Sequence, residues 1–170
     1  MADNPDEIFD VVDSTDKVVG TARRGVVHAR GLLHRAVHII VVRGNNDVFV
    51  QKRSMGKDSY PGRWDSSSSG HLDSGEGYET AAVRELEEEL GVRVANITEI
   101  GSLSASEETG NEFVRIYKAA SEGPFTLHPE EIEEGKWVSV LSLQDWIATR
   151  PEDFAPCFIK VWSTVRDHFA

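Results

Sequence analysis

Hydrophobic and polar positions alternate over short stretches in the first half of the chain, a pattern typical of β-strands. Two β-prone runs, residues 8–12 and 18–22, flank a polar stretch at residues 13–16 and so predict a hairpin. The largely β-branched run at residues 36–42 predicts a buried central strand. Further strands are predicted at residues 48–54, 92–100, 112–119 and 135–140. Turns or loops are predicted at residues 44–47, 57–64 and 104–111.

Apolar residues at helical spacing predict a helix in the middle of the chain. Ala82, Leu86 and Leu90 recur every four residues, and Gly91 stands where a left-handed C-terminal cap would end the helix. A second, short helix is predicted at residues 142–149, where a serine opens a capping box.

The C-terminal stretch, residues 151–170, predicts a terminal helix with one apolar face. That face carries Phe158, Val161, Trp162, Val165 and Phe169. Its aromatic side chains are predicted to lie in the core or, where exposed, to form the face of a homodimer. Strands and helices interleave without a regular βαβ repeat, which indicates an α/β fold, an α/β/α sandwich around a mixed β-sheet.

Three glutamates share one face of the predicted central helix. Glu85, Glu88 and Glu89 stand at i, i+3 and i+4, whereas Glu87 points elsewhere. Like charges at this spacing repel each other, and carboxylates in the last turn oppose the helix dipole. A divalent cation would remove both penalties, because hard cations bind carboxylate oxygens. The alternative for such a cluster is a solvated acidic face.

A glycine-rich loop leads into this helix and carries two further charged residues. The loop contains Gly70, Gly75 and Gly77, with Glu76 at the helix entrance and Arg84 just before the acidic cluster. The glutamate and the arginine are placed to pair across the helix start, which would fix the position of the arginine.

These residues together resemble the Nudix box, at residues 70–92. The matching positions are Gly70, Glu76, the Arg-Glu-Leu of residues 84–86, the Glu-Glu of residues 88–89 and the Gly-Val of residues 91–92. The resemblance implies the Nudix fold and a loop-helix-loop that binds magnesium and hydrolyses a diphosphate linked to another moiety.

Composition limits the partners of the chain. The 170 residues are most simply a polar tail at residues 1–7 and a single Nudix domain at residues 8–170. The net charge of -11, with 29 acidic and 18 basic residues, argues against binding to extended nucleic acid. A small phosphorylated ligand remains compatible with this charge if metal ions bridge it to the protein.

The remaining composition indicates a cytoplasmic protein without membrane attachment. The single cysteine, Cys157, excludes an internal disulfide and fits a reducing compartment. The sequence has no apolar run long enough to span a membrane, and its acidic amino terminus does not resemble a signal peptide.

Several short motifs outside the box resemble the isopentenyl-diphosphate-isomerase-like branch of the superfamily. They are Arg53-Ser54, Lys57, Pro61-Gly62, Trp64-Asp65 and Gly70-His71, with His28 and His34 upstream. The isomerases carry an essential cysteine where this chain has Ser69, and a metal-binding glutamate where it has Gly110. A serine hydroxyl is a poor acid for protonating an alkene, so hydrolysis is favoured over isomerisation. The altered spacing of His28 and His34 favours core or surface histidines over a second metal site.

The resemblance to the box also implies roles for its carboxylates. Glu85, Glu88 and Glu89 would hold one or more Mg²⁺ ions, for which Mn²⁺ can substitute, with the backbone carbonyl of Ser69 as a further ligand. The metal would neutralise the diphosphate oxygens and lower the pKa of the attacking water.

The proton acceptor is left open among three glutamates. Glu85 is the first choice, and Glu112 and Glu131 are the alternatives, since Nudix proteins use either a box glutamate or one from a later loop. Arg84 would orient Glu85, and Glu76 would hold the arginine.

Four residues are predicted to contact the substrate. Arg53, Lys57 and Arg63 bracket the loop that enters the site, and His71 lies within it. The alternatives are ordinary surface charge for the three cations and a structural role for the histidine.

The favoured function is therefore a Mg²⁺-dependent Nudix hydrolase that cleaves a small nucleoside-diphosphate-type or prenyl-diphosphate-type substrate. One alternative is an isomerase of the isopentenyl-diphosphate type. The other is a non-catalytic module that binds a nucleotide or sugar diphosphate, although such modules usually have eroded box carboxylates, and this box is complete.

Overall fold

The computed structural model describes residues 3–44 and 46–170. Two predictions reach beyond these residues: the predicted polar tail includes Met1 and Ala2, and the predicted turn at residues 44–47 includes Asn45.

The strands are β1 (Ile8–Val12), β2 (Val18–Arg23), β3 (His34–Val42), β4 (Asp47–Arg53), β5 (Trp64–Asp65), β6 (Ser68–His71), β7 (Ile97–Leu103), β8 (Glu112–Ala120) and β9 (Ile132–Ser139). The helices are α1 (Arg24–Arg30), α2 (Tyr78–Leu90), α3 (Val140–Thr149) and α4 (Pro156–Val165), with single 3₁₀ turns at Pro151–Asp153 and Arg166–Phe169. Each predicted strand has a counterpart, and the polar stretch between β1 and β2 joins them as a hairpin.

The central strand β3 organises a mixed sheet. It runs parallel to β8 over its whole length, from the pair His34 and Glu112 onwards. On its other edge, β3 pairs with two antiparallel strands. β6 pairs with residues 36–39 of β3, and β4 pairs with it at Val42, which lies opposite Val48. β4 also pairs with β5 and β9, and β7 flanks β8. The prediction of a mixed sheet is confirmed.

Helices cover both faces of this sheet, because the side chains of β3 alternate between two cores. Ile40 and Val42 belong to a cluster with residues of α3 and α4. Ile39 and Val41 belong to a second cluster with residues of α2, including Leu86. The three layers form the predicted α/β/α sandwich.

The terminal aromatic residues lie in the first of these cores. Phe158, Trp162 and Phe169 are each at most 2% exposed, so the core interpretation is correct and these side chains offer no face for a dimer. The predicted continuous helix was wrong, however, because Pro156 interrupts it. Proline lacks the N–H that would continue a helix but is well suited to the first turn, where α4 begins.

Two helix ends test the capping predictions. α2 ends as predicted, with Gly91 in the left-handed conformation at φ 65°. α3 begins two residues before the prediction, since the Ser139 hydroxyl caps it by accepting a hydrogen bond from the N–H of Ser142 at 3.1 Å.

The sheet forks where β3 and β4 diverge, and a side chain bridges the fork. The hydroxyl of Ser67 accepts a hydrogen bond from the N–H of Val41 at 2.7 Å and donates one to the carbonyl of Phe49. Both backbone groups would otherwise lack a ladder partner in the interior. The fork also admits Gln51, whose amide reaches the carbonyl of Ser67 at 3.3 Å and the carboxylate of Glu89 at 2.5 Å.

The described part of the predicted tail lies against α1. The N–H of Gly25 donates to the carbonyl of Pro5 at 3.0 Å, and the N–H of Arg24 donates to the carbonyl of Glu7 at 2.7 Å. Within residues 3–44 and 46–170, no helix combines the length and the apolar character that crossing a membrane requires.

Candidate functional site

A cavity of about 810 Å³ opens between the N-terminal segment, α1, α2 and the beginning of β8. It is lined by the predicted site residues Arg53, Lys57, Ser69, His71, Arg84, Glu85, Glu88, Glu89, Glu112 and Glu131. Glu76 does not line the cavity but is hydrogen-bonded to Arg84, which does. Arg63 lines a separate depression of about 410 Å³ beside Trp64 and Trp146, so the structure does not bring it into the cavity.

Arg84 connects the loop before α2 to the acidic face of this helix. Its Nε and Nη2 donate to the two carboxylate oxygens of Glu76 at 2.9 and 2.8 Å, which gives the predicted pair a bidentate geometry. Its Nη1 donates to Glu85 at 2.7 Å and to Glu88 at 3.2 Å, and its Nη2 also reaches the carbonyl of His71 at 2.9 Å. One guanidinium therefore fixes the loop and two of the box carboxylates.

Two of the box carboxylates are buried, and one rests on a glycine. Glu85 is 8% exposed and Glu89 is 4% exposed, whereas Glu88 faces solvent. A Cβ added to Gly70 would collide with the carboxylate of Glu85, so only glycine allows this approach. The carboxylate of Glu89 accepts a hydrogen bond from the N–H of Ser69 in β6 at 3.4 Å.

The surroundings oppose ionisation of both buried carboxylates. Burial raises the pKa of Glu85 to about 8, against the opposing effect of Arg84. The pKa of Glu89 is raised well above its ordinary value, first by burial and then by the charge of Glu85. A bound cation would allow both to ionise, and their oxygens are the donors that hard divalent cations such as Mg²⁺ prefer. The two buried carboxylates are therefore suitable ligands for a magnesium ion, and Glu88, which shares Arg84 with Glu85, lies at the solvent side of the pair.

Two of the three cations predicted to contact phosphate are engaged in ion pairs. Arg53 donates to Asp65 at 3.1 Å, and the Nζ of Lys57 donates to Glu131 at 2.7 Å. Glu131 lies close enough to the box for its charge to raise the pKa of Glu85. Arg63 donates to a backbone carbonyl at 3.3 Å, outside the cavity.

A second group of possible metal ligands lies in the same cavity: His28, His34, His71 and Glu112. Their ligand atoms are all within 4.8 Å of one another. The sheet register explains the convergence, because His34 pairs with Glu112 across β3 and β8, and His71 lies opposite Ala36 across β3 and β6. His28 completes the group from α1. The prediction that His28 and His34 are separate core or surface histidines did not anticipate this cluster.

One ring nitrogen of His34 faces a carboxylate. Its Nδ1 lies 2.9 Å from the carbonyl of Leu32, and because a carbonyl only accepts, this nitrogen carries the proton. The buried Nε2 has no hydrogen-bond partner among the described residues and faces Glu112 Oε1 at 3.4 Å. A cation in this position would be held by an imidazole nitrogen and a carboxylate oxygen.

The charge states of the cluster also suit a metal. The pKa of His28 is lowered to about 4, first by desolvation and then by His71 and His34. Desolvation also lowers the pKa of His71. Burial alone would raise the pKa of Glu112, but His71 and His34 hold it well below its ordinary value. Neutral imidazoles at His28 and His71 beside an ionised Glu112 are the protonation states that metal binding requires.

Sequence reasoning missed three further residues on the cavity wall. Asp3 and Arg24 pair with each other at 2.7 Å, and no local pattern signals that they meet. Cys157 lies 3.7 Å from Nε2 of His38, and burial raises the pKa of its thiol. His38 itself is hydrogen-bonded to Ser66 at 2.8 Å, as expected for a satisfied sheet histidine.

Comparisons with known proteins agree with this geometry. The family model of the NUDIX domain matches residues 32–157. The chain is 36% identical over 157 residues to an uncharacterized Nudix hydrolase of Yersinia pestis, covering 92% of this chain and 84% of that relative. An uncharacterized Nudix hydrolase of Pseudomonas aeruginosa is 35% identical over 132 residues, which cover 78% of each protein. The crystal structure of DR0079 from Deinococcus radiodurans matches with a TM-score of 0.83 at 27% identity, covering 94% of this chain and 99% of that chain.

Proposed function

Because this chain belongs to the NUDIX domain family, we propose that it is a Mg²⁺-dependent hydrolase that cleaves a diphosphate linkage in a small substrate of the nucleoside-diphosphate or prenyl-diphosphate type. The observation that carries the proposal is the pair of buried carboxylates, Glu85 and Glu89, whose ionisation is suppressed by burial. A protein gains nothing in stability from such a pair, so its presence is best explained by the cation that it binds.

Glu85, Glu88 and Glu89 would hold the magnesium, with the carbonyl of Ser69 as the further predicted ligand. Bound Mg²⁺ supplies Lewis acidity, which neutralises the diphosphate oxygens and makes a nearby water more acidic. Arg84 keeps Glu85 and Glu88 in place through hydrogen bonds at 2.7 and 3.2 Å.

The choice of general base follows from the partners of each candidate. Glu112 is committed to His71, whose Nε2 lies 2.8 Å away, and Glu131 accepts a hydrogen bond from Lys57 at 2.7 Å. The histidines hold the pKa of Glu112 well below its ordinary value, which makes this carboxylate a weak base. Glu85 also accepts a hydrogen bond from Arg84, but burial outweighs this contact and raises its pKa. Once a bound cation allows Glu85 to ionise, it is our choice of proton acceptor.

The test is release of phosphate or diphosphate from a panel of nucleoside di- and triphosphates, ADP-ribose, sugar nucleotides and isopentenyl diphosphate. Assays would be run with Mg²⁺, with EDTA, and with the variant Glu89→Gln. The matched control is Glu87→Gln on the same helix, because Glu87 is exposed and pairs with Arg93 instead of facing the cavity.

Turnover that requires Mg²⁺, is abolished by Glu89→Gln and survives Glu87→Gln is the expected result, and it would also identify the substrate class. If no compound turns over while one of them still raises the melting temperature, hydrolysis is refuted and a diphosphate-binding module takes its place. Isomerised product without hydrolysis would instead favour the isomerase alternative.

The histidine cluster supports a second divalent cation in the same activity. Imidazole nitrogens and one carboxylate suit a borderline metal such as Zn²⁺ or Co²⁺ better than Mg²⁺. The unpartnered Nε2 of His34, 3.4 Å from Glu112, is the observation that favours it.

Titration with Co²⁺, followed by visible absorption, tests this second site. His28→Ala removes an exposed member of the cluster, and His168→Ala removes an exposed histidine at the C-terminal end. We expect the first variant, but not the second, to weaken Co²⁺ binding about tenfold or more, the scale on which metal-site changes act. Equal affinities in both variants would show that the histidines do not bind the metal.

A further inference from the structure

The cavity holds an anion of the protein itself, the carboxylate of Asp3. Arg24 Nη2 lies 2.7 Å from this carboxylate, Lys57 Nζ lies 3.0 Å from it, and the N–H of Asp58 donates to it at 2.7 Å. The side chain of Asp3 is only 6% exposed, and that of Arg24 is 9% exposed. Two cations and one backbone N–H therefore converge on a position that is shielded from water.

Such a group of donors would serve a phosphate equally well. A carboxylate presents two negatively charged oxygens, and a phosphate presents the same feature with one more oxygen and more charge. Neither cation depends on Asp3 alone, because Arg24 also lies 3.7 Å from Glu7 and Lys57 donates to Glu131 at 2.7 Å. The anion in this position can be exchanged without leaving either cation unpaired.

The position lies in the cavity that holds both candidate metal sites. Lys57 contacts Glu131, and Arg24 is the first residue of α1, the helix that carries His28. Both cations line the same cavity as the box carboxylates and the histidine cluster.

The other cations of the cavity are already engaged. Arg84 is held by Glu76 and Glu85, and Arg53 is held by Asp65. Arg24 and Lys57 are thus the two cations of this acidic cavity that an incoming anion can bind by displacing one carboxylate, that of Asp3.

We propose that Arg24, Lys57 and the N–H of Asp58 form a subsite for a phosphate group of the substrate, and that Asp3 occupies it as an internal competitor. This inference rests on the proposed function in one respect, which is that the anion is part of a diphosphate substrate. Substrate binding requires the carboxylate of Asp3 to leave this position. The apparent affinity for substrate is lowered by the fraction of molecules in which Asp3 is in place.

The experiment measures binding of inorganic pyrophosphate in the presence of EDTA, by isothermal titration calorimetry and by melting temperature. Asp3→Ala empties the subsite. Asp6→Ala is the matched control, because Asp6 lies in the same segment but forms an exposed pair with Arg23 at 3.2 Å. We expect Asp3→Ala to bind pyrophosphate at least tenfold more tightly than the parent protein, and Asp6→Ala to bind it as the parent does.

Two further variants keep the result interpretable. Asp3→Asn retains the shape of the side chain and removes its charge, so it carries the test if Asp3→Ala does not fold, and it should change affinity in the same direction. Lys57→Met in the Asp3→Ala background should abolish the gain. Equal pyrophosphate affinity in Asp3→Ala, Asp3→Asn and the parent protein would overturn the proposal, as would a gain that survives the loss of Lys57.

Because EDTA removes the metal, this outcome does not depend on hydrolysis. A protein that binds pyrophosphate as expected but turns over no substrate would refute the proposed function and retain the subsite. If hydrolysis is found, Asp3→Ala should also lower KM at least fivefold relative to Asp6→Ala.

Discussion

Raising the pH of the metal-free protein should lower its stability, because Glu85 must then ionise in a buried position. Its folded-state pKa is about 8, against an ordinary value of 4.5. The folded state therefore prefers the neutral carboxyl. The stability that this preference contributes is complete below pH 4.5 and is lost as the pH rises through about 8.

The size of the effect follows from the two pKa values. At about 1.4 kcal/mol per pKa unit, the full cost of ionising Glu85 is about 5 kcal/mol, and about 2 kcal/mol of it falls between about pH 6.5 and about pH 8.5. For a protein of this size that corresponds to a fall of about 4–8 °C in melting temperature. The histidines with lowered pKa values oppose part of this loss, because their unfolded-state imidazoles are still about half protonated at about pH 6.5, whereas Glu89, whose pKa is also raised, adds to it. The contribution of Glu85 is therefore the difference in pH dependence between the parent protein and a variant that lacks this carboxyl.

The assay is urea denaturation in EDTA across this window, for the parent protein, Glu85→Gln and Glu87→Gln. Glutamine keeps an acceptor for Arg84 and removes the titration, so Glu85→Gln should show a markedly flatter pH dependence. Glu87→Gln, which alters an exposed residue of the same helix, should behave as the parent. Saturating Mg²⁺ should also flatten the parent curve. A Glu85→Gln protein with the same pH dependence as the parent protein and Glu87→Gln would refute the reasoning.

Three further substitutions test other parts of the site. Gly70→Ala should destabilise the protein by about 1–3 kcal/mol and abolish turnover, since the added methyl collides with Glu85; denaturation and activity assays check both effects. Arg84→Lys should lower kcat/KM about a hundredfold at near-parent stability, because an ammonium cannot form the bidentate pair with Glu76. A loss of less than about threefold in steady-state kinetics would contradict this prediction. Leu86→Ala should cost about 2–5 kcal/mol in urea denaturation, as its side chain is fully buried under the sheet.

The sequence predicts well what is encoded within a single element. The helical spacing of Ala82, Leu86 and Leu90, ended by Gly91, is a local pattern, and α2 forms as it indicates. The pairing of Glu76 with Arg84 is similarly accessible, because both residues belong to one loop-helix unit. Element ends were less predictable, as the start of α3 shows, since neighbouring serines compete for the same cap.

The histidine cluster lies beyond what periodicity reveals. His28, His34, His71 and Glu112 come from four elements, and they meet only because β6 and β8 pair with β3 in particular registers. A shift of one residue in either pairing would turn the side chains to the opposite face, and nothing local in the sequence fixes that register.

The position of Asp3 is unpredictable for a similar reason. Its partners, Arg24 and Lys57, are distant in the chain, and Asp3 itself lies in the stretch at residues 1–7 that the sequence predicts to be a polar tail. Only the assembled cavity shows that its carboxylate is enclosed.

The hydroxyl of Ser67, which bridges the fork in the sheet, has a consequence for how the molecule opens. Separating β3 from β4 would strand the N–H of Val41 and the carbonyl of Phe49, and it would also detach Gln51 from Glu89. The amide of Val41 should therefore exchange its hydrogen with solvent only through global unfolding. The carboxylate site therefore unfolds together with the whole domain. Partially unfolded molecules that have lost the site do not accumulate.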